Sequence, residues 1–124
     1  MLAADGAGAL FVYGTLLPGE ELWGVLARFA LEVSDAVVSG RLFDTGLGYP
    51  AAVFDGSTSV VPGARVTVAP ERWMELVDLL DQIEDEGTLF HRRQVETTAG
   101  PAMSYEWIRQ TQGLRTLPDG WRGR

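Results

Sequence analysis

An apolar run closed by a glycine, within residues 9–19, constrains the fold of this chain more than any other stretch. Residues 10–13 are long enough for one buried strand, and Gly14 ends the run. Two acidic residues, Glu20 and Glu21, follow and are typical of the first turn of a helix. A strand, a glycine turn and a helix start would gather backbone N–H groups near the positive end of a helix dipole, which favours a bound anion.

The alternative is a strand that ends in glycine and binds nothing. The glycine pattern is neither a Walker loop nor a G-x-G-x-x-G fingerprint, so it does not imply a nucleotide.

Composition narrows the class of protein. The chain has 124 residues, 46% of them hydrophobic and 22% charged, which predicts one globular domain over residues 1–124. It has no cysteine and no lysine, which excludes disulfides, thiol catalysis and Schiff-base chemistry. A net charge of −7 argues against nucleic acid as a partner. No apolar run approaches a membrane span and the N-terminus lacks a secretion pattern, so we expect a cytoplasmic protein with no membrane partner.

Periodicity predicts several strands and only two main helices, an α+β protein whose mixed sheet curls over its own core. The helices are expected at 20–29 and at 71–84, the second opening on Pro70. Strands are expected at 31–43 with a kink near Ser39-Gly40, at 51–54, at 60–68 with a bulge at Pro62-Gly63, at 91–98 and at 102–108. Residues 1–8 read as frayed and 113–124 as an irregular tail.

One carboxylate of the second predicted helix falls on its apolar face. With about 100° per residue, Glu84 lies about 20° from Trp73, in the middle of a stripe that includes Val77 and Leu80. A carboxylate buried there has a raised pKa unless a cation pairs with it, which suits a general base working near neutral pH. If the helix frays early, Glu84 is solvated and Glu86 becomes the alternative.

Other candidate residues indicate ordinary structure. His91 is the only histidine and reads as a strand residue rather than a metal ligand. The acidic cluster at 81–86 lacks the spacing of a calcium loop and reads as a solvated helix face. We therefore expect no metal site.

Several segments, in order, resemble the signatures of the γ-glutamylcyclotransferase-like (AIG2-like) family. They are F-V-Y-G-T-L at 11–16, G-Y-P-A at 48–51, L-D-Q-I-E at 80–84, Phe90 with Arg92, and A-M-S-Y at 102–105. The resemblance implies a small mixed β-barrel with two main helices around it and a cavity for a γ-glutamyl group, without metal or cofactor. It also implies an enzyme that releases 5-oxoproline from a small-molecule γ-glutamyl substrate.

The same resemblance implies roles for individual residues. Tyr13, Gly14, Thr15 and Leu16 would bind the glutamyl portion, and Glu84 would be the catalytic acid and base. Tyr105 matches the tyrosine of the late strand and would hydrogen-bond in the cavity; a core tyrosine is the alternative.

The chain departs from the family pattern after Glu84. A glycine commonly follows the catalytic glutamate directly, whereas Asp85 and Glu86 precede Gly87 here. This keeps Glu86 as a second choice. Three other functions stay open: a cyclotransferase that deprotects an intermediate of a biosynthetic pathway, a non-catalytic binding module on the same fold, and a metal-dependent hydrolase. The oligomeric state and the leaving amine are not encoded in any motif.

Overall fold

The fold combines two β-sheets with two α-helices. It is taken from a computed structural model, which describes residues 8–123. Within that range the strands are β1 (Ala9–Val12), β2 (Ala30–Ser39), β3 (Arg41–Asp44), β4 (Pro50–Val53), β5 (Val60–Val68), β6 (Phe90–Thr97), β7 (Gly100–Trp107) and β8 (Arg115–Thr116). The α-helices are α1 (Trp23–Ala27) and α2 (Trp73–Ile83), and a 3-10 turn, Pro70–Arg72, leads into α2. The predicted α+β class is confirmed.

The strands form one five-stranded and one three-stranded sheet rather than a single closed barrel. The larger sheet has the order β2-β5-β1-β7-β6, and the smaller has the order β4-β3-β8. In the larger sheet β1 pairs antiparallel with β5 and parallel with β7. The parallel pair directs the carboxyl ends of β1 and β7 towards the same edge of the sheet.

Strand β1 lies at the centre of both cores, and all four of its residues are buried. Successive side chains of a strand point to opposite faces. On one face Leu10 and Val12 join a cluster with the helices through Leu26, Leu76 and Leu80. On the other face Phe11 joins a cluster with the smaller sheet and the tail, whose members include Leu42, Ala52, Phe54, Leu117 and Trp121. The residues of β1 are therefore all apolar, without alternating polar positions, because both faces of the strand are buried.

The predicted helices form, but with different ends. The first prediction, 20–29, is too long: α1 has five residues and begins at Trp23, so the two glutamates at 20 and 21 precede it in a turn. The second prediction agrees closely, since Pro70 opens the 3-10 turn and Glu84 caps the end of α2. None of the helices in residues 8–123 is long and apolar enough to cross a membrane.

The predicted extended segment 31–43 kinks where expected. Gly40 separates β2 from β3, and the two strands belong to different sheets. The bulge predicted at Pro62-Gly63 is wrong, because both residues keep regular pairing with β2. The irregular register lies near the other end of β5, between Ala30 and Glu32 of β2. Gly63 is instead required by close strand packing, since a Cβ there would lie 2.1 Å from the carbonyl oxygen of Val12.

The C-terminal tail packs onto the body of the protein. Part of the segment predicted to be irregular is the short strand β8, which pairs with β3. Leu117 and Trp121 are buried in the core shared with the smaller sheet. The Arg122 guanidinium donates a hydrogen bond to the carbonyl of Pro18, so the tail also holds the turn after β1. The predicted fraying at 1–8 falls almost wholly outside the described residues.

Candidate active site

A cavity lies just beyond the carboxyl end of β1. Its volume is about 390 Å³ including the open mouth. Its walls come from β1, the turn after it, β7, the loop before β4 and the end of α2. The lining residues are Leu10, Phe11, Val12, Tyr13, Gly14, Thr15, Leu16, Tyr49, Pro50, Glu84, Ser104 and Tyr105. All six residues predicted from the sequence as site residues thus meet around one space.

The turn after β1 presents unpaired backbone donors. Within residues 8–123, the N–H groups of Gly14, Thr15 and Leu16 donate no hydrogen bond to a protein acceptor. The carbonyls of the turn are used instead: Gly14 accepts from the Leu17 N–H at 3.0 Å and Thr15 from the Leu22 N–H at 2.8 Å. Three neighbouring free donors beside a cavity suit an anionic oxygen.

The helix dipole that the sequence suggested for this anion site does not contribute. Because α1 begins only at Trp23 and has five residues, its N-terminus does not follow directly on the turn. The field of a helix end also falls off within about one turn. The backbone N–H groups of the turn are therefore the feature that favours an anion here.

Gly14 holds two cavity walls together. A Cβ at this position would lie 2.5 Å from Cγ of Pro50, which is closer than real Cβ atoms approach a neighbour. The glycine is therefore needed for close approach to Pro50 rather than for an unusual φ angle. This contact joins the turn after β1 to the start of β4.

Glu84 supplies the ionisable group of the cavity. It is the C-cap residue of α2, and its N–H donates to the carbonyl of Leu80 at 2.8 Å. Burial raises the pKa of its carboxyl to about 7. In the part of the chain that the structure describes, no cationic side chain pairs with it to offset the lost hydration. Near neutral pH the group can therefore take up or release a proton.

Glu86, the alternative base, lies outside the cavity and is engaged by surface groups. Its Oε2 is 3.0 Å from Nδ1 of His91 and accepts a hydrogen bond from the Arg92 N–H at 3.4 Å. His91 is a β6 residue with 66% of its side chain exposed. Its position agrees with the prediction of a plain strand residue.

A Schellman turn separates the two glutamates. The Glu86 N–H donates to the carbonyl of Asp81 and the Asp85 N–H to that of Gln82. Asp85 has φ of 54°, the only positive φ of a non-glycine residue in the range 8–123. Glycine is favoured at such a position, and the pattern that the sequence resembles has a glycine there. The departure at Asp85 thus keeps the turn and adds strain.

Two tyrosines link the walls of the cavity. The Tyr13 hydroxyl donates to the backbone carbonyl of Tyr105 at 2.6 Å. The Tyr105 hydroxyl donates to Oδ1 of Asp81 at 2.7 Å, and the same carboxylate pairs with Nε of Arg92 at 3.1 Å. Burial raises the pKa of both phenols, and nearby carboxylates add to the effect, Glu84 for Tyr13 and Asp81 for Tyr105. Both tyrosines therefore stay neutral and act as hydrogen-bonding groups.

Sequence reasoning gave no site role to four residues that build the site, although all four lie in the motifs that carry the family resemblance. Tyr49, Pro50 and Ser104 line the cavity, and Asp81 holds Tyr105. The buried Ser104 hydroxyl donates to the carbonyl of Phe11 at 2.8 Å and so links β7 to β1. Asp81 could have been found, because it lies three residues before Glu84 on one helix and such residues are neighbours. Among residues 8–123, no cluster of His, Asp and Glu could hold a metal ion.

The family can now be assigned. The sequence profile described as "Gamma-glutamyl cyclotransferase, AIG2-like" matches residues 10–123. The chain belongs to this family. A relative from Niallia circulans, the gamma-L-glutamyl-butirosin B gamma-glutamyl cyclotransferase, is 29% identical over 119 residues, which cover 91% of this chain and 74% of the relative. These two matches support cyclotransferase-type activity.

Solved structures agree with the fold. An uncharacterized protein from Pyrococcus horikoshii superposes with a TM-score of 0.69 at 24% identity, covering 91% of this chain and 87% of the other. An AIG2-like protein from Mus musculus gives a TM-score of 0.65 at 18% identity, with coverage of 91% and 97%. At these identities the likeness concerns the fold alone.

Proposed function

We propose that this member of the γ-glutamyl cyclotransferase family cleaves γ-glutamyl amides by intramolecular attack, releasing 5-oxoproline and a free amine. One observation carries the proposal: an unpaired, partly desolvated carboxylate, Glu84, shares a cavity with the unpaired N–H groups of the turn at Gly14. A site that only binds a γ-glutamyl group needs the donors and an ionised carboxylate for the α-ammonium, whereas proton transfer near neutral pH needs a carboxylate whose pKa is raised.

The reaction forms one C–N bond and breaks another. The substrate's α-nitrogen attacks its own γ-carbonyl carbon, and the bond from that carbon to the leaving nitrogen breaks. Starting from the α-ammonium, two protons leave the attacking nitrogen and two reach the leaving nitrogen. Glu84 carries them one at a time, accepting as a carboxylate and donating as an acid. With a pKa of about 7, it does both near neutral pH.

The rest of the cavity positions the substrate. Folding the glutamyl chain so that amine and carbonyl meet supplies much of the rate, because an oriented intramolecular reaction can gain about 7–11 kcal/mol. The N–H groups of Gly14, Thr15 and Leu16 hold either the α-carboxylate or the oxyanion that forms on the γ-oxygen. Neutral Tyr13 and Tyr105 also line the cavity, and their phenols lie close enough to Glu84 to feel its charge.

The test incubates the protein with a panel of γ-glutamyl amides and dipeptides and measures the 5-oxoproline formed by chromatography. The proposal expects turnover by the wild type, none above background by Glu84→Gln, and no effect of a chelator. Tight substrate binding without 5-oxoproline would identify the non-catalytic module instead. Loss of activity with EDTA would identify a metal-dependent hydrolase. A cyclotransferase that removes a protecting γ-glutamyl group shares this chemistry, and the panel separates it by substrate.

A further inference from the structure

The hydroxyl groups of the two cavity tyrosines differ in what they can still offer a ligand. The Tyr13 hydroxyl donates to the carbonyl of Tyr105, and the backbone N–H of Ala52 already interacts with its oxygen. The Tyr105 hydroxyl donates to Oδ1 of Asp81, and no protein group among residues 8–123 donates to its oxygen. Tyr105 therefore keeps an open acceptor site on a side chain that lines the cavity.

Asp81 fixes the direction in which the Tyr105 hydroxyl points. Its carboxylate pairs with Nε of Arg92 at 3.1 Å, and an ionised carboxylate can only accept hydrogen bonds. The 2.7 Å contact therefore holds the phenol hydrogen towards Asp81, which does not line the cavity. A hydrogen bond to a charged acceptor is stronger than a neutral one, and it polarises the phenol so that its oxygen becomes a better acceptor.

The donors and the acceptors of the cavity are thereby separated. The donors are the N–H groups of the turn after β1, and the acceptors are the Tyr105 oxygen and the Glu84 carboxylate. Burial raises the pKa of the Tyr105 phenol and the carboxylates of Asp81 and Glu84 add to the effect, so Glu84 lies within electrostatic range of the phenol. A γ-glutamyl substrate carries its strongest hydrogen-bond donor, the α-ammonium, on the nitrogen that must meet Glu84.

We propose that Asp81 is a positioning residue, which holds the Tyr105 hydroxyl as a hydrogen-bond acceptor for the substrate's α-nitrogen beside Glu84. This inference rests on the proposed cyclotransferase function. The α-nitrogen then directs its N–H bonds at two acceptors: Glu84 removes a proton, and the phenol oxygen keeps the nitrogen in place. Asp81 touches neither the substrate nor the reacting atoms and acts through Tyr105.

Substitutions of Asp81 test this role by the rate of 5-oxoproline formation. Asp81→Leu removes the acceptor and should lower kcat/KM at least tenfold. Asp81→Asn keeps a carbonyl oxygen for the Tyr105 hydroxyl and should stay within about threefold of the wild type. In a Tyr105→Phe background, Asp81→Leu should cause no further loss, because the hydroxyl is already absent. A full additional loss in that background would show that Asp81 does not act through Tyr105, and it would overturn the proposal.

Two controls separate positioning from a merely structural role. Arg92→Met breaks the ion pair between α2 and β6 but leaves Oδ1 of Asp81 for Tyr105, so kcat/KM should stay within about threefold of the wild type. Asp78→Leu makes the same change as Asp81→Leu at an exposed position of α2 and should also keep activity. If either control loses as much activity as Asp81→Leu, the effect is structural and the positioning role fails. Asp81→Ala replaces Asp81→Leu throughout if circular dichroism shows the leucine variant to be unfolded.

A pair of product analogues tests the acceptor directly. 5-Oxoproline presents a ring N–H where its lactone analogue, 5-oxotetrahydrofuran-2-carboxylate, presents a ring oxygen. As competitive inhibitors of the wild type and of Asp81→Asn, the lactam should bind more tightly than the lactone. This preference should fall at least threefold in Asp81→Leu, because the released Tyr105 hydroxyl can donate to the ring oxygen, and it should also fall in Tyr105→Phe.

The failure of this inference is distinguishable from the failure of the proposed function. If the wild type forms 5-oxoproline and Asp81→Leu keeps the wild-type preference between lactam and lactone, the role of Asp81 is wrong and the function stands. If no γ-glutamyl compound yields 5-oxoproline with the wild type, the cyclotransferase function fails, and the positioning role fails with it.

Discussion

The cavity wall at Glu84 and the surface turn at Glu86 lie two residues apart and carry the same functional group. Glu84 loses water without gaining a cation, so its pKa rises to about 7. Glu86 contacts His91 and the backbone of Arg92 at the surface and does not line the cavity. The Schellman turn at Asp85 directs the two side chains to different surroundings.

This comparison shows that the end of the helix, more than residue type, decides which carboxylate lies at the cavity. A carboxylate is suited to proton transfer at neutral pH when burial raises its pKa and no cation lowers it again. One residue in a left-handed conformation is enough to separate such a group from an ordinary surface acid. Changes at positions 84, 85 and 86 therefore test the interpretation directly.

The largest expected effect separates the two glutamates by activity. Glu84→Gln should lower the rate of 5-oxoproline formation about 100- to 10,000-fold, the usual contribution of a general acid or base. Glu86→Gln should stay within about threefold of the wild type, because Glu86 meets no substrate in this arrangement. Comparable losses in the two variants would end the distinction.

The free energy of unfolding should also distinguish Glu84 from Glu86. The Glu84→Gln change, which lowers activity, should raise stability. The Glu84 pKa is about 7 in the fold against an ordinary value of 4.5, so the folded protein binds the extra proton and loses stability as pH rises through this window. One pKa unit corresponds to 1.36 kcal/mol, so replacing the ionised carboxylate by a neutral amide should raise the free energy of unfolding by at most about 3 kcal/mol. Urea unfolding should find Glu84→Gln more stable than wild type at about pH 8, with the gain vanishing below about pH 4.

For Glu86→Gln we expect no such pH-dependent gain. A gain of equal size in both variants would show that general removal of negative charge, rather than burial at Glu84, is responsible.

The pH dependence of the rate should report Glu84 as well. If its carboxylate is the base, kcat/KM should fall about tenfold for each pH unit well below 7, because only the ionised fraction accepts a proton. Glu86→Gln should show the same fall in kcat/KM towards low pH, measured by initial rates between about pH 5 and pH 8. A rate independent of pH over this range would contradict a base with the pKa of Glu84.

The smallest effect concerns the residue between the two acids. Asp85→Gly relieves the positive φ of 54° but gives the unfolded chain more conformational freedom. Because the relieved strain exceeds the entropy cost, the change should stabilise the protein by about 0.5–1 kcal/mol. The same change at exposed Asp78, inside α2, should destabilise instead, because glycine is a poor helix former. Thermal unfolding of both variants checks the difference, and destabilisation by Asp85→Gly would show that Asp85 is not strained.

The sequence could predict features that depend on local pattern. Helical periodicity placed Glu84 on the face that includes Val77 and Leu80, and both of those residues are buried. The glycine after residues 10–13 marked the turn that now lines the cavity. These predictions succeeded because burial imposes a period on the chain.

Features that depend on contacts between distant segments could not be predicted. The sequence predicts a bulge at Gly63, whereas the structure requires a glycine there because the backbone of Val12 lies against it. Gly14 was read as a turn residue, although Pro50 requires it. The bond from Ser104 to Phe11 and the separation of the strands into two sheets arise from pairings across the chain. The length of α1 was missed because helix ends are weakly marked.

The burial of β1 on both faces has a consequence for the motions of the site. Its amides should exchange with deuterium through openings close to global unfolding, because the strand is shared by two cores. The segment from Gly46 to Gly48 is exposed, so its amides should exchange through small local fluctuations. Small molecules would then enter the cavity beside the mobile segment 46–48, while β1 keeps its position. The exchange rates of these two segments should differ by orders of magnitude.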